Sequence, residues 1–465
     1  MNSKNKLSLW SDLRSALRGD EVDCTKGDLK KGLFVLAVPM ILEMLMQSIF
    51  EIVDIFFVGK LGPNPVAAVG LAASMVVLII GVGLGLSIAT TAIVARLIGE
   101  QKPEEAAIAA VHAIVLTGAV AIPISVLGIV YAEELLMLMN ASPEIISVGT
   151  HYCRVTLAGS ILMLLMFVNN AIFRGAGDSA YSMRTVWFAN ILNMILDPIF
   201  IFGLLWFPEF GVVGAAYATI VGRTVGVSYQ FWILLSGKTR IRIGWKHIRY
   251  DGEKTKKLML KGSTAMLQSL IGTASWMMIM RFVALLGSTV LAGFTIAIRI
   301  ALFALLPAVG VGNATATMVG QNLGAKQPER AESAVKLSAK SNFLLMLPVT
   351  LILAFCSEGL VGAFSPELGV VAAGGQILQL ISFGILFWGV GVVLSQAFNG
   401  AGDTLTPTWL NVICFWAIQI PLAYWLALGL DFGGAGICWG IVISDVCFAS
   451  VGFLWFRKGG WKSVE

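Results

Sequence analysis

The stretch LEMLMQSIFEIVDIFF, residues 42–57, is apolar enough for the interior of a bilayer yet carries Glu43, Gln47, Glu51 and Asp54. On a helix turning about 100° per residue, Gln47 lies about 40° from Glu43, Glu51 about 80° and Asp54 about 20°, so the four form one polar stripe. A charge facing lipid costs at least ~3 kcal/mol, and the stripe should therefore face the interior of a bundle or a water-filled cavity. Glu51 and Asp54, three residues apart, are neighbours on that face, and acids held together away from water can take up and release a proton. A second stretch, NILNMILDPIF (190–200), places Asn190, Asn193 and Asp197 within about 60° of one another on a helix. Amide and carboxylate oxygens one turn apart suit a hard cation such as Na+, or a buried acid that binds H+. Pro198 follows Asp197, and Pro39 precedes Asp54 by fifteen residues; each removes a backbone hydrogen bond and permits a kink. For every one of these acids the competing role is a buried, hydrogen-bonded group that only fixes packing, and for Glu43 and Glu51 that role stays fully open.

The scaffold that must position these residues is a membrane protein. Of 465 residues, 57% are hydrophobic and 13% charged, against about 25% charged in soluble domains, and the mean hydropathy is +0.84. Breaks at polar, charged or Pro/Gly-containing gaps give twelve segments near 30–59, 64–95, 105–131, 145–173, 181–206, 211–236, 258–286, 289–321, 331–356, 367–398, 405–429 and 432–456. Each is long enough for a hydrocarbon core that about 20 helical residues span. Lys26, Lys30, Lys31, Arg174, Arg184, Lys326, Arg330 and the basic run from Lys238 to Lys257 fall on one side. The other side offers Lys60 and acids such as Glu133, Glu134, Glu209, Glu358, Glu367 and Asp431. Both termini are expected in the cytoplasm. The basic run reads as a topology determinant, and no nucleic-acid partner is expected. Residues 1–28, with Trp10, Leu13 and Leu17 at helical spacing, read as a cytoplasmic interfacial helix without a cleaved signal.

The chain is also written twice. FRGAGD (173–178) returns as FNGAGD (398–403), a shift of 225 that also carries Phe57-Val58, Leu61-Gly62, Gly85, Gly99 and Pro103 onto Phe282-Val283, Leu286-Gly287, Gly310, Gly324 and Pro328. Six spans per half is an even number, so the halves should be related by an axis along the membrane normal, as in many secondary transporters. The expected organisation is an N-lobe at 29–236, a basic inter-lobe loop at 237–257, a C-lobe at 258–456 and a cytoplasmic tail at 457–465. The shift takes Asp54 to Ile279, so the acid chemistry belongs to the first half. Gln268 and Arg299 are candidates, with Glu43, Gln47, Glu51 and Asn190, for lining a substrate cavity. Arg223 and Asp445, at matching places in the sixth and twelfth spans, and Arg281 read as charges paired inside a lobe or snorkelling. The Met-rich patches at 40–46 and 277–280 read as core filler that a promiscuous cavity could also use. Six scattered cysteines read as core residues. His112 and His151 stand alone, neither GxSxG nor HExxH occurs, and no enzyme activity or cofactor is expected.

The sequence resembles the multidrug and toxic compound extrusion (MATE) transporters over residues 28–456. AVPMI (37–41) with IVDIFFVGKLG (52–62) is similar to the family's first span, GQNLGA (320–325) to its eighth-span exit, and RGAGD/NGAGD to its paired loop motif. The resemblance implies a monomeric, twelve-helix, all-α antiporter of the inner membrane. It would export amphipathic, often cationic organic compounds against H+ or Na+, with lipid around it. The family's coupling acid maps to Asp54, its fifth-span partners to Asn193 and Asp197, and a further ligand to Thr219, with Na+ at Asp54, Asn193 and Asp197 as one form of the site. STAMLQSLIGTASW (263–276) and GILFWGVGVVLSQ (384–396) carry no acid, which favours a DinF-like or archaeal-type mechanism over a NorM-type one. A lipid-linked oligosaccharide flippase of the same superfamily is the alternative, kept open by Arg281 and Arg299.

Overall fold

The structure is a computed structural model and describes residues 3–20, 23–249 and 251–464. Among the described residues it is all helix. The helices are α1 (Ser3–Arg18), α2 (Leu29–Gly59), α3 (Pro63–Gly99), α4 (Pro103–Val130), α5 (Ala132–Leu138), α6 (Pro143–Ala158), α7 (Ser160–Ala176), α8 (Ser179–Phe202) and α9 (Val212–Ser236) in the first half of the sequence. The second half holds α10 (Gly252–Leu285), α11 (Ser288–Gly324), α12 (Pro328–Phe355), α13 (Ser357–Gly362), α14 (Leu368–Ala401), α15 (Leu405–Asn411), α16 (Ile420–Tyr424) and α17 (Gly433–Lys458). Among the described residues ten stretches are long and apolar enough to cross a membrane, with α6–α7 acting as one span and Leu405–Gly429 as another. Helices α9 and α10, 25 and 34 residues long, bring the set to the expected twelve; Arg223 and Gln230 in α9 and the lysines that open α10 make them more polar.

The repeat is visible in the helix ends. Helices α3 and α11 each have 37 residues, α4 and α12 each 28, and every start is displaced by the same 225 positions. Proline opens α3, α4 and α12, where its missing N–H costs nothing and its fixed φ suits the first turn, and Ser288 opens α11. Gly62 and Gly287 precede α3 and α11 at φ 101° and 99°, a backbone region that only glycine enters cheaply. The fifth and eleventh spans differ. Helix α8 is α-helical throughout, whereas α15 and α16 are joined by a π-helical stretch at Val412–Gln419 and a second one, Trp425–Gly429, follows α16.

The chain forms two compact units, Met1–Glu21 with Leu42–Met266 and Val22–Ile41 with Leu267–Glu465. Their boundaries fall inside α2 and α10, at positions related by the repeat, and not in the basic loop where the sequence suggests one. Hydropathy reports that a helix is apolar and not which neighbours bury it, so this division is invisible in the sequence. In the second unit Leu33, Leu36, Ala37 and Met40 of α2 share a core with Ala314, Met318, Val335 and Phe398. In the first unit Leu258 of α10 packs with Leu86, Ala89, Ala107 and Phe173.

The close approaches behind this arrangement are made by Gly85 and Gly310. A methyl on Gly85 would fall 2.6 Å from the backbone nitrogen of Met266, and one on Gly310 2.6 Å from Ile41 Cγ1 and 2.9 Å from its backbone nitrogen. Backbone meets helix there because glycine has no side chain.

The basic loop is fastened to the first unit. His247 and Lys246 reach Glu104 at 2.9 and 2.7 Å, and Lys254 pairs with Glu105. The buried His112 binds the Ile108 carbonyl through Nδ1 at 2.8 Å and accepts the Asp251 backbone N–H at 2.9 Å through Nε2.

Candidate ion-coupling site

Helix α8 carries Asp197 with no exposed surface, and Asn193 one turn earlier is 2% exposed. Asn193 Nδ2 donates to Thr219 Oγ1 at 3.0 Å across to α9. The Asn193 side-chain oxygen and both Asp197 carboxylate oxygens have no hydrogen-bond partner. Pro198 cannot donate to the Met194 carbonyl one turn back, which leaves another acceptor on the same stretch of helix. Burying an ionised carboxylate without partners is expensive, so this arrangement of oxygens suits a proton on the acid or a hard cation among them.

From α2, Asp54 lies within electrostatic reach of Asp197, Arg223, Glu51 and Tyr152. It is half-buried and Glu51 is exposed. Gln47 Nε2 donates to Glu51 at 3.4 Å, and Gln47 Oε1 accepts from Asn190 Nδ2 at 3.3 Å. The structure therefore brings Asp54, Asp197, Asn193 and Thr219 into one region of the first unit, with Glu51, Gln47 and Asn190 continuing it along the same faces of α2 and α8.

Glu43 sits elsewhere. It is 3% exposed, and its Oε1 accepts from Arg174 Nη1 at 3.1 Å and from Asn170 Nδ2 at 3.3 Å, both on α7. Behind it Gln230 donates to Asn170 Oδ1 at 2.7 Å and accepts from Asn169 Nδ2 at 3.1 Å. Glu43 is thus enclosed in an ion pair within the first unit and does not line an open cavity as the sequence stripe suggests. The other two lining candidates lie in the second unit. Gln268 donates to Ser395 Oγ at 3.4 Å and its backbone carbonyl accepts from Asn411 Nδ2 at 3.0 Å, while Arg299 and Arg281 are exposed.

Sequence reasoning missed Arg223 and Tyr152 as neighbours of Asp54, and Asn169, Asn170 and Gln230 behind Glu43. Arg223 had a signal, since it stands four residues after Thr219 and so shares its face of α9. Tyr152 and Asn170 had none, because their partners are far along the chain. The remaining histidine of the sequence reading, His151, faces Tyr217 at 3.1 Å. Among the described residues no three His, Cys, Asp or Glu side chains are grouped to hold a metal.

The MatE family model matches residues 39–199 and 264–425, once in each half. The chain is 28% identical over 445 residues to the probable multidrug resistance protein YpnP of Bacillus subtilis, covering 95% of this chain and 98% of the relative. It is 26% identical over 440 residues to the probable multidrug resistance protein NorM of Thermotoga maritima, covering 94% of each. Among solved structures, an outward-facing multidrug resistance MATE transporter of the MOP superfamily superposes with a TM-score of 0.89 at 29% identity, over 94% of this chain and 97% of that one. A MOP superfamily transporter from Pyrococcus furiosus superposes with a TM-score of 0.88 at 28% identity, over 97% and 98%. With its family match recurring at the repeat and covering both halves, the chain is a multi-span membrane protein that belongs to the MatE family of transporters.

Proposed function

We propose that the protein is a cation-coupled antiporter that exports amphipathic, often cationic organic compounds across the inner membrane by alternating access. The relatives named for multidrug resistance support the export of drugs. The lipid-linked oligosaccharide reading is not favoured beside them. One observation carries the coupling assignment: the fully buried, unpartnered carboxylate of Asp197 lies within the field of Asp54 on another helix. H+ or Na+ is the coupling ion in this reading, held by Asp54 and Asp197 with the oxygens of Asn193 and Thr219. Ion occupancy favours one conformation because a ligand shifts an equilibrium only through its differential affinity for the two states. The acid set lies in the first half alone, which supports a DinF-like mechanism over a NorM-like one. Both termini face the cytoplasm, the lipid bilayer surrounds a monomer, and no cofactor takes part.

The test is ethidium efflux from cells expressing wild type or Asp54→Asn, with the pH gradient collapsed or Na+ withheld in separate experiments. Wild-type efflux should follow one gradient, and the variant should not export uphill. Uphill export by Asp54→Asn would end the coupling assignment.

A further inference from the structure

The ion pair between Glu43 and Arg174 takes no part in the coupling chemistry above, yet it occupies a particular place. Helix α2 leaves the second unit after Ile41 and joins the first at Leu42. The fastenings of its next two residues are both in the first unit. Trp187 Nε1 donates to the Leu42 carbonyl at 3.2 Å, and Glu43 is held by Arg174 at 3.1 Å and Asn170 at 3.3 Å. On the other side of the junction, Pro39 interrupts the helical hydrogen bonding to Val35 and Gly310 receives the backbone of Ile41. A weakened turn followed by a fixed one makes a pivot.

The second half repeats this join without charge. The 225-residue shift carries Ile41 to Met266, Glu43 to Gln268, Asn170 to Ser395 and Arg174 to Asn399. Helix α10 changes unit after Met266, and Gln268 then bonds Ser395 at 3.4 Å where Glu43 bonds Asn170. Trp416 Nε1 donates to the Ile271 carbonyl at 3.0 Å, one turn beyond Leu267, the counterpart of Leu42. Acid and base have both been exchanged for amides, which shows that the geometry of the join does not demand an ion pair. Side-chain exposures of 4% for Glu43 and 11% for Arg174 make the charged version costly in desolvation. What it offers is stiffness, since a charge-assisted hydrogen bond is about twice as strong as a neutral one. The stiff join is found in the half that holds Asp54 and Asp197, on the same helix as Asp54.

We propose that Glu43 and Arg174 are a positioning pair that fixes the pivot of α2, so that ion binding at Asp54 and Asp197 is transmitted to residues 29–41 rather than dissipated at the join. This rests on the coupling reading. Neither residue touches the coupling ion; the pair acts through the helix. Truncating one partner leaves the other as an uncompensated buried charge, so single changes report folding more than coupling. The informative variant copies the second half, E43Q/R174N.

The experiment uses the full chain in proteoliposomes, with ethidium as probe and a pH or Na+ gradient imposed separately. Uphill accumulation, downhill exchange and the thermal unfolding midpoint are measured for wild type, E43Q/R174N, the charge-keeping E43D/R174K, and D54N. We expect E43Q/R174N to unfold near the wild-type midpoint and to exchange ethidium downhill at a wild-type rate. Its uphill accumulation should fall at least about fivefold, the lower range of allosteric couplings, and E43D/R174K should recover most of it. Wild-type accumulation by E43Q/R174N would reduce the pair to a structural join and overturn the proposal. A double variant that does not fold would overturn it as well, because the charges would then be required by the join itself. The two readings separate at D54N: uphill transport by D54N removes the coupling site, whereas a silent D54N beside a fully coupled E43Q/R174N removes only the pivot.

Discussion

Helices α3 and α11 begin 225 residues apart, run for 37 residues each and follow glycines of nearly the same φ, yet the helices they accompany carry different chemistry. Around α2 and α8 stand Asp54, Asp197 and Glu51, with Asn193 and Thr219 completing the oxygen set. In the second half Ile279, the counterpart of Asp54, is fully buried in an apolar core, Ser275 donates to Gln419 at 3.4 Å, and Gln396 donates to Asn313 at 3.2 Å. Duplicated backbone geometry has been kept while the acids of the first and fifth spans have no counterpart in the seventh and eleventh; the buried acid of the second half, Asp445, stands on α17. A scaffold constraint should therefore act equally on both halves, and an ion-coupling constraint on one.

The largest expected effect separates the halves. Asp54→Asn and Asp197→Asn should each reduce uphill dye export at least about tenfold, within the 5- to 150-fold range of site couplings. Gln419→Leu, which removes the amide that accepts from Ser275 in the second half, should leave ion dependence unchanged. Export assays in vesicles with one gradient at a time check both. Loss of ion dependence in Gln419→Leu would make the second half a participant and break the comparison.

The next effect should be shared. Gly85→Ala and Gly310→Ala each place a methyl within 3 Å of backbone atoms of the crossing helix. Overpacking of this kind typically costs about 1–3 kcal/mol, and thermal unfolding in detergent should report similar losses for the two. A large loss at only one would show that the crossings, alike in geometry, differ in energy.

Much of this scaffold was legible in the sequence. The 225-residue register, read from a few glycines and prolines, reproduces the helix starts of α3, α4, α6, α11, α12 and α14. The polar stripes placed Asp54 and Asp197 on faces that do approach each other. What was not legible depends on partners distant in the chain. Glu43 accepts through Oε1 from Arg174, 131 residues away, and nothing in the local pattern distinguishes it from Asp54 on the same stripe. The transfer of α2 and α10 between units is likewise hidden, because a buried apolar face has the same composition whichever neighbour covers it.

A smaller effect tests the coupling shell. Thr219→Ala removes the hydroxyl that accepts from Asn193 at 3.0 Å. Losing one neutral hydrogen bond costs about 1 kcal/mol, so the half-saturating ion concentration should rise about fivefold, and the maximal export rate should hold. A fall in maximal rate without a change in ion dependence would place Thr219 in the scaffold.

The smallest effect lies where the two crossing helices begin, again on unlike foundations. Asp28 accepts the Lys30 N–H at 3.0 Å ahead of α2, and Arg330 holds the Gly27 carbonyl at 2.9 Å. Asp251 accepts the N–H groups of Glu253 and Lys254 ahead of α10 at 3.1 and 3.2 Å, and Glu105, the repeat counterpart of Arg330, pairs with Lys254. These bonds, first among them the Lys254 N–H, hold the Asp251 carboxyl below its ordinary pKa. A depressed folded pKa contributes stability that is present above the unfolded value of about 3.9 and is lost as pH falls through the lowered one. Amide exchange in the first turn of α10 should therefore be flat from neutral pH down to about 4 once corrected for intrinsic rates, and accelerate below it. Asp251→Ala should show the fast rate already at neutral pH while leaving the first turn of α2 unchanged, and Asp28→Ala should do the reverse. Acceleration of both first turns by either change would mean that the two crossing helices fray as one cooperative element, despite being anchored by an acid in one half and a base in the other.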